Sequence, residues 1–151
     1  MARYAMQGLG QTSNNVLFSH QVMTPGATPR RFRIFDMMFG FAGAAADGTF
    51  YLSITRASGS AGTTTSAVPT PVDPADAACI TLGGITTTTN PTTVIPIVMN
   101  MTFNQRSTVR WFAAPGEELV APLTVTSGFG VMPVSPSPTA ANIAATIIFD
   151  E

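Results

Sequence analysis

Between Arg30 and Glu151 the chain runs in short stretches where apolar and polar side chains alternate, separated by turn residues. Alternation of this kind predicts β-strands, because successive side chains of a strand point to opposite faces. Arg30–Phe41 is the first strong strand. Phe32, Ile34 and Met38 fall on one side with Asp36 among them, and Arg31, Arg33, Phe35, Met37 and Phe39 on the other. Toward Phe41 both sides are largely apolar, so that end is expected to be covered on both faces. Gly40 and Gly43 close the strand. Asp47-Gly48 is a tight-turn pair that leads into Thr49–Arg56, where Phe50, Leu52 and Ile54 alternate with Tyr51, Ser53 and Thr55. The two strands are expected to form a hairpin across the 41–48 loop.

Ala57–Thr70 is rich in Ser, Gly and Thr and reads as an exposed loop. One helix start follows. Asp73 suits an N-cap, Pro74 the first helical position, and Asp76 the positive end of the helix dipole. Ala75, Ala77, Ala78, Cys79, Ile80 and Leu82 then give about two turns before Gly83-Gly84 stops them. Ile85–Thr93 is threonine-rich with Asn90-Pro91, a loop or an edge strand. Val94–Phe103 is a strand whose Pro96 directs it to a sheet edge. Asn104-Gln105-Arg106 turns the chain into a strand over Ser107–Ala113, and Pro115-Gly116 turns it again. Leu119–Val125, Phe129–Val134 and Ile143–Phe149 are further strands, with Pro133, Pro136 and Pro138 marking a loop before the last. Seven or eight strands at intervals near 8–12 residues predict an all-β fold, an antiparallel β-sandwich or jelly-roll with one short helix.

Residues 1–29 carry few sustained apolar patterns and many Gln, Asn, Ser, Thr and Gly. They are expected to form either a frayed terminus or an extended N-terminal arm lying on a neighbour, ahead of a sandwich domain over residues 30–151. Tyr4, Met6, Leu9, Val16, Leu17 and Phe18 favour the arm, being poor choices for a solvated tail. Tyr4, Leu17 and Phe18 are therefore candidate partner contacts. The same region lacks the apolar core of a signal peptide, which implies synthesis and folding in a cytoplasm.

Composition sharpens this reading. Only 10% of the 151 residues are charged, against about 25% in an ordinary soluble domain, while 45% are apolar. All seven basic residues are arginine. Arginine makes fixed, planar contacts where lysine favours a solvated surface, and so little charge protects a free monomer poorly from association. These features describe a chain built to be covered by copies of itself or by a partner. The net charge of −1 supplies no bulk attraction to nucleic acid or an anionic membrane, and neither is expected as a partner.

Candidate chemistry is sparse, and no enzyme is expected. Cys79, the single cysteine, excludes an internal disulfide and reads as a small buried apolar residue. His20, the single histidine, lies in the arm with no second ligand beside it, so neither a metal site nor a general base is expected. Asp73 with Asp76 is explained by helix capping, and Glu117-Glu118 by a solvated loop after Pro-Gly. Gly8 and Gly10 lack the strand, helix and lysine of a phosphate loop, and no cofactor is expected.

Five of the seven arginines fall in two groups. Arg30, Arg31 and Arg33 stand at the mouth of the first strand, where they either protect a sheet edge by charge or fork onto acidic residues of a partner. Arg106 and Arg110 bracket Trp111, the only tryptophan. Either Trp111 fills a core strand position with its N–H paired, or Arg106, Arg110 and Trp111 are partner contacts, arginine and tryptophan being favoured interface anchors and the guanidiniums able to stack on the indole.

Pro71-Val72-Asp73-Pro74-Ala75-Asp76-Ala77-Ala78, Asn104-Gln105-Arg106, Arg110-Trp111 and Ala113-Ala114-Pro115-Gly116 carry a resemblance. Over residues 30–151 the chain resembles a family of small structural proteins encoded beside the capsid genes of tailed bacteriophages. That resemblance implies a virion protein on the capsid exterior, a decoration or cement protein that binds the assembled major capsid protein, often as a trimer. It brings no catalytic residues; Arg106, Arg110 and Trp111 correspond only as motif positions with a structural role. A phage tail or head-fibre module and a carbohydrate-binding β-sandwich are the alternative expectations.

Overall fold

A computed structural model describes the chain except residues 13–16, 26, 45–46, 59–61, 92, 125 and 135–140. Twelve strands are described: β1 (Arg3–Thr12), β2 (His20–Met23), β3 (Arg33–Phe41), β4 (Thr49–Ser58), β5 (Thr63–Ser66), β6 (Thr70–Pro71), β7 (Leu82–Thr89), β8 (Thr93–Asn104), β9 (Thr108–Phe112), β10 (Leu119–Val120), β11 (Ser127–Val134) and β12 (Ala141–Asp150). They form two antiparallel sheets packed as a β-sandwich. The first sheet runs β10-β3-β12-β1-β6, with β9 also paired to β3; the second runs β5-β7-β2-β11-β4-β8.

The predicted arm is not an arm. Residues 3–12 pair with residues 141–150 in an unbroken register from Arg3–Asp150 to Thr12–Ala141, between β12 and the two-residue strand β6 of the first sheet. Tyr4 and Met6 point into the core, and Tyr4 stacks on Phe149 with ring centroids 5.9 Å apart. Residues 20–23 are a strand of the second sheet, so no domain boundary falls at residue 29. The apolar alternation of β1 is half-hidden because two of its inward positions are Gly8 and Gly10. At Gly10 a Cβ would lie 2.2 Å from the Ser19 carbonyl oxygen, so only glycine lets β1 and β2 approach this closely.

The expected hairpin between the first two strong strands also fails. β3 lies in the first sheet and β4 in the second, so the 42–48 connection crosses between layers. The face assignment of β3 changes midway as well. Its register to β12 shifts between Ile148 and Phe149, leaving Phe35 as the extra residue of a β-bulge. Ile34 before the bulge and Met37 and Phe39 after it all point inward, while Asp36 and Met38 point outward.

Among the described residues there is no helix. Asp73 caps a single turn instead, its Oδ1 accepting from the Ala75 N–H at 2.9 Å and its carbonyl from the Asp76 N–H at 3.0 Å. The helix does not continue because Ile80 and Thr81 give their N–H groups to the Glu151 carboxylate, at 2.8 and 2.9 Å, while the Tyr4 hydroxyl donates to the Ala77 carbonyl. Gly83-Gly84 are strand residues, not a stop. Loop 57–70 contains β5 and β6, β7 replaces the threonine-rich loop or edge, and the 119–125 strand is reduced to Leu119–Val120, with Val125 outside the described residues. β8 is an edge strand, as Pro96 predicts.

The main core lies between the sheets. Phe32, just before β3, joins them: its ring meets Phe149 at 5.6 Å and Phe129 at 6.3 Å. A second, smaller cluster of Phe18, Met23 and Ala57 with Met132 covers the outer side of the second sheet. Phe18 sits there on Gly130, where a Cβ would be 2.2 Å from its ring. One deletion and one substitution test this account. Deleting residues 1–29 removes β1 and β2, one strand from each sheet, and abolishes cooperative unfolding in a denaturant titration. Gly10→Ala, which forces an overpacked seam, lowers unfolding free energy by about 1–3 kcal/mol or more.

Candidate interaction surface

The predicted contact residues do not form one site. Tyr4 and Phe18 are wholly buried in their own chain, and Leu17 is half-buried beside Phe18, which removes all three as arm contacts. Trp111 faces inward with Val109 and packs against the main core, half-buried. Arg110, its neighbour along β9, necessarily points the other way, and among the described residues no guanidinium stacks on the indole. The rings that do carry guanidiniums are Phe35, under Arg3 at 4.6 Å, and Phe129, under Arg56 at 5.4 Å.

The arginines separate along β3. Arg106 lies in the β8–β9 turn near one end, 3.6 Å from Asp47 with both side chains exposed. Such a pair contributes little to stability. Arg33 is at the other end, 3.7 Å from Asp150, which Arg3 also meets at 3.3 Å. Arg30 and Arg31 are exposed just ahead of it. Arg110 is midway and grips the outward-facing carboxylate of Asp36 with two hydrogen bonds, of 3.0 and 2.7 Å. The hydrogen bond to Asp36, with its negative charge, holds the Arg110 guanidinium further above its ordinary range. Asp36 is nearly buried because Arg110 roofs it.

Around this pair the outer face of the first sheet is nearly uncharged. β9 contributes Thr108 and Phe112, β3 Met38 and Gly40, β12 Ala144, Thr146 and Ile148, and β1 Gln7 and Leu9. Phe112 is 64% exposed, Leu9 46% and Met38 45%. Two shallow depressions flank Met38. One, of about 290 Å³, is lined by Gln7, Gly40, Thr108 and Thr146 among others; the second, of about 210 Å³, by Asp36, Arg110 and Ile148. Such a face, apolar with one satisfied ion pair at its centre, has the composition of an interface core, where unpaired charge is depleted. Sequence reading missed it because the β3 bulge, invisible in alternation alone, is what turns Met38 outward.

The titratable groups serve the fold. His20 is buried at the seam between the sheets, not exposed in a tail. Its Nε2 donates to the Gly8 carbonyl at 3.1 Å and its Nδ1 lies 3.1 Å from the Ser19 hydroxyl. Burial pushes its pKa down from 6.5 to about 4, against the opposing effect of the Gly8 hydrogen bond. Glu151 is desolvated, which raises its pKa, but hydrogen bonds from the Thr81 hydroxyl (2.6 Å) and the Ile80 and Thr81 N–H groups outweigh this and hold it below 4.5. Cys79, half-buried beside Glu151, is pushed up to about 12 by burial and by the adjacent carboxylate, so its thiol stays protonated. Among the described residues no group of three or more His, Cys, Asp or Glu side chains is arranged to hold a metal, and no helix is long and apolar enough to cross a membrane.

His20 and Glu151 act on stability in the same direction. Between pH 6.5 and 4 the unfolded chain binds a proton at His20 that the folded chain refuses, so stability falls as pH falls through that window. The loss reaches about 3 kcal/mol. Glu151 contributes stability that is present above pH 4.5 and is lost as pH falls through its lowered folded value. Chemical denaturation between pH 7 and 3 checks both: His20→Gln flattens the slope above pH 4, and Glu151→Gln flattens it below pH 4.5. No protein-family model matches the chain, and no curated protein or solved structure matches it either.

Proposed function

We propose that this chain is a virion structural protein that binds an assembled phage capsid shell from outside and stabilises it, a decoration or cement protein working as a trimer, and that its sandwich is a jelly-roll. The observation that carries the reading is strand order. Leaving aside β5–β7 and β10, one sheet runs β9-β3-β12-β1 and the other β8-β4-β11-β2. The pairs are nested: β4 with β8, β3 with β9, β2 with β11 and β1 with β12. Such nesting supports two interlocked Greek keys, an architecture used by viral capsid and lectin domains.

Fold alone does not assign function, and the surface narrows the choice. The outer face of the first sheet offers apolar area with, among the described residues, no unpaired charge, which suits broad contact with coat subunits. The exposed aromatic rings Tyr51 and Phe112 stand on different sheets, which is poor support for sugar stacking. The mechanism is mass action. A protein that binds the assembled shell but not the dissociated subunits stabilises the shell, and a trimer multiplies weak single contacts into firm attachment.

Sedimentation of the purified chain, then of the chain mixed with empty shells and with isolated tails of the same phage, tests this. The chain is expected to sediment as a trimer, to pellet with shells and not with tails, and to raise the temperature at which shells break. Met38→Asp, at an exposed position, weakens attachment by about tenfold or more while leaving the unfolding transition in place. Pelleting with tails alone, or with neither, overturns the proposal.

A further inference from the structure

At the end of the sandwich where β3 begins and β4 finishes, Arg31 and Arg56 line one cleft of about 430 Å³ whose other walls are Val120, Pro122 and Leu123. These two arginines differ from most of the others. Arg3, Arg33, Arg106 and Arg110 each face a carboxylate of this chain. Among the described residues no carboxylate lies within 4 Å of Arg31 or Arg56. The nearby acids are occupied elsewhere: Asp150 by Arg3 and Arg33, and Glu118 by the Gly116 N–H. Two guanidiniums without counter-charge facing one recess form a built-in demand for an anion.

The recess is organised in advance. Arg56 occupies a position on β4 directly opposite Phe129 on β11, and its guanidinium rests over that ring. The wall that faces it is fixed from behind. The Ala121 N–H donates to the Phe32 carbonyl at 3.0 Å, the Thr24 hydroxyl donates to the Thr124 carbonyl at 2.7 Å, and the Ser127 N–H donates to the Thr24 hydroxyl. Leu123, 64% exposed, stands free on this fixed wall.

We infer that this cleft binds an acidic peptide segment, a Glu or Asp side chain followed by an apolar residue, presented by the protein to which the chain attaches. The two arginines fork onto the carboxylate, and Val120, Pro122 and Leu123 receive the apolar neighbour. A nucleic-acid backbone fits less well, since two arginines on a chain of net charge −1 neutralise few phosphates and the apolar wall meets nothing in a phosphate chain. The inference rests on the attachment reading above for the identity of the partner, but not for the chemistry of the cleft.

The test uses the full chain and acetyl-Glu-Leu-Glu-amide, followed by NMR of the arginine Nε–H groups. The Arg31 and Arg56 signals are expected to shift saturably, about tenfold more weakly with the Gln-Leu-Gln analogue, and less as salt is raised. Followed from the peptide's own amide signals, binding disappears in R31Q/R56Q and persists in R30Q, which removes the same kind of charge outside the cleft. R31Q alone, at an exposed position ahead of β3, decides the matter should the double variant fail to fold. No saturable shift, an equal response to the analogue, or tighter binding of a short oligothymidylate overturns the inference. Shell pelleting separates the two proposals. If the wild-type chain pellets with shells and R31Q/R56Q does so equally, the cleft is overturned and attachment stands. If the wild-type chain does not pellet, attachment falls and the peptide titration still judges the cleft.

Discussion

The pairing of residues 3–12 with residues 141–150 is the contact on which the other layers depend. It places the two ends of the described chain side by side in the first sheet, with Ala2 and Glu151 exchanging backbone hydrogen bonds of 3.2 and 3.1 Å. From that pair the inward side chains Tyr4, Met6, Ile143, Ile147 and Phe149 supply much of the core wall. Its outward side chains, Leu9, Ala144 and Ile148 among them, contribute to the apolar outer face. The 72–81 segment is tied to the same pair through the Tyr4 hydroxyl and the Glu151 carboxylate, so a stretch with helix-like composition is held as a loop.

The close approach of β1 to β2 sets a second constraint. Bringing the sheets together at the seam excludes a Cβ at Gly10 and desolvates His20, which must then stay neutral. At the other side of the second sheet, Gly130 makes room for Phe18 in the same way, creating a small core outside the main one. Glycines here are packing residues. They are the reason the chain can carry a fully buried histidine and a phenylalanine on opposite sides of one sheet.

Much of the fold was legible in the sequence where alternation is clean. β4, β9 and β12 read correctly because each inward position is filled by an apolar side chain, as with Ile143, Ala145, Ile147 and Phe149. β1 did not, because Gly8 and Gly10 occupy inward positions and erase the signal. The β3 bulge at Phe35 reversed the apparent faces of Met37 and Met38. The Asp73 cap signal was real but local, and tertiary hydrogen bonds to Glu151 decided the outcome. Of the surface, the arginine groups were visible but not their partners. Asp36, a lone acid in an apolar strand, was the signal for a charge pair, and Arg56, in phase with Phe50, Leu52 and Ile54, was the signal for a cation held at the rim of the core.

The nesting of the strand pairs also orders the route by which the chain reaches this state. β4 and β8 are closest in sequence, then β3 and β9, then β2 and β11, and the pair β1–β12 closes the largest loop of all. Each inner pair shortens the effective loop that the next must close. A topology so dominated by distant contacts folds slowly, and among these strands β1 is made first yet finds its partner last. Until residue 150 has been made, β1 lacks its partner β12, which leaves the newborn chain exposed to misassociation.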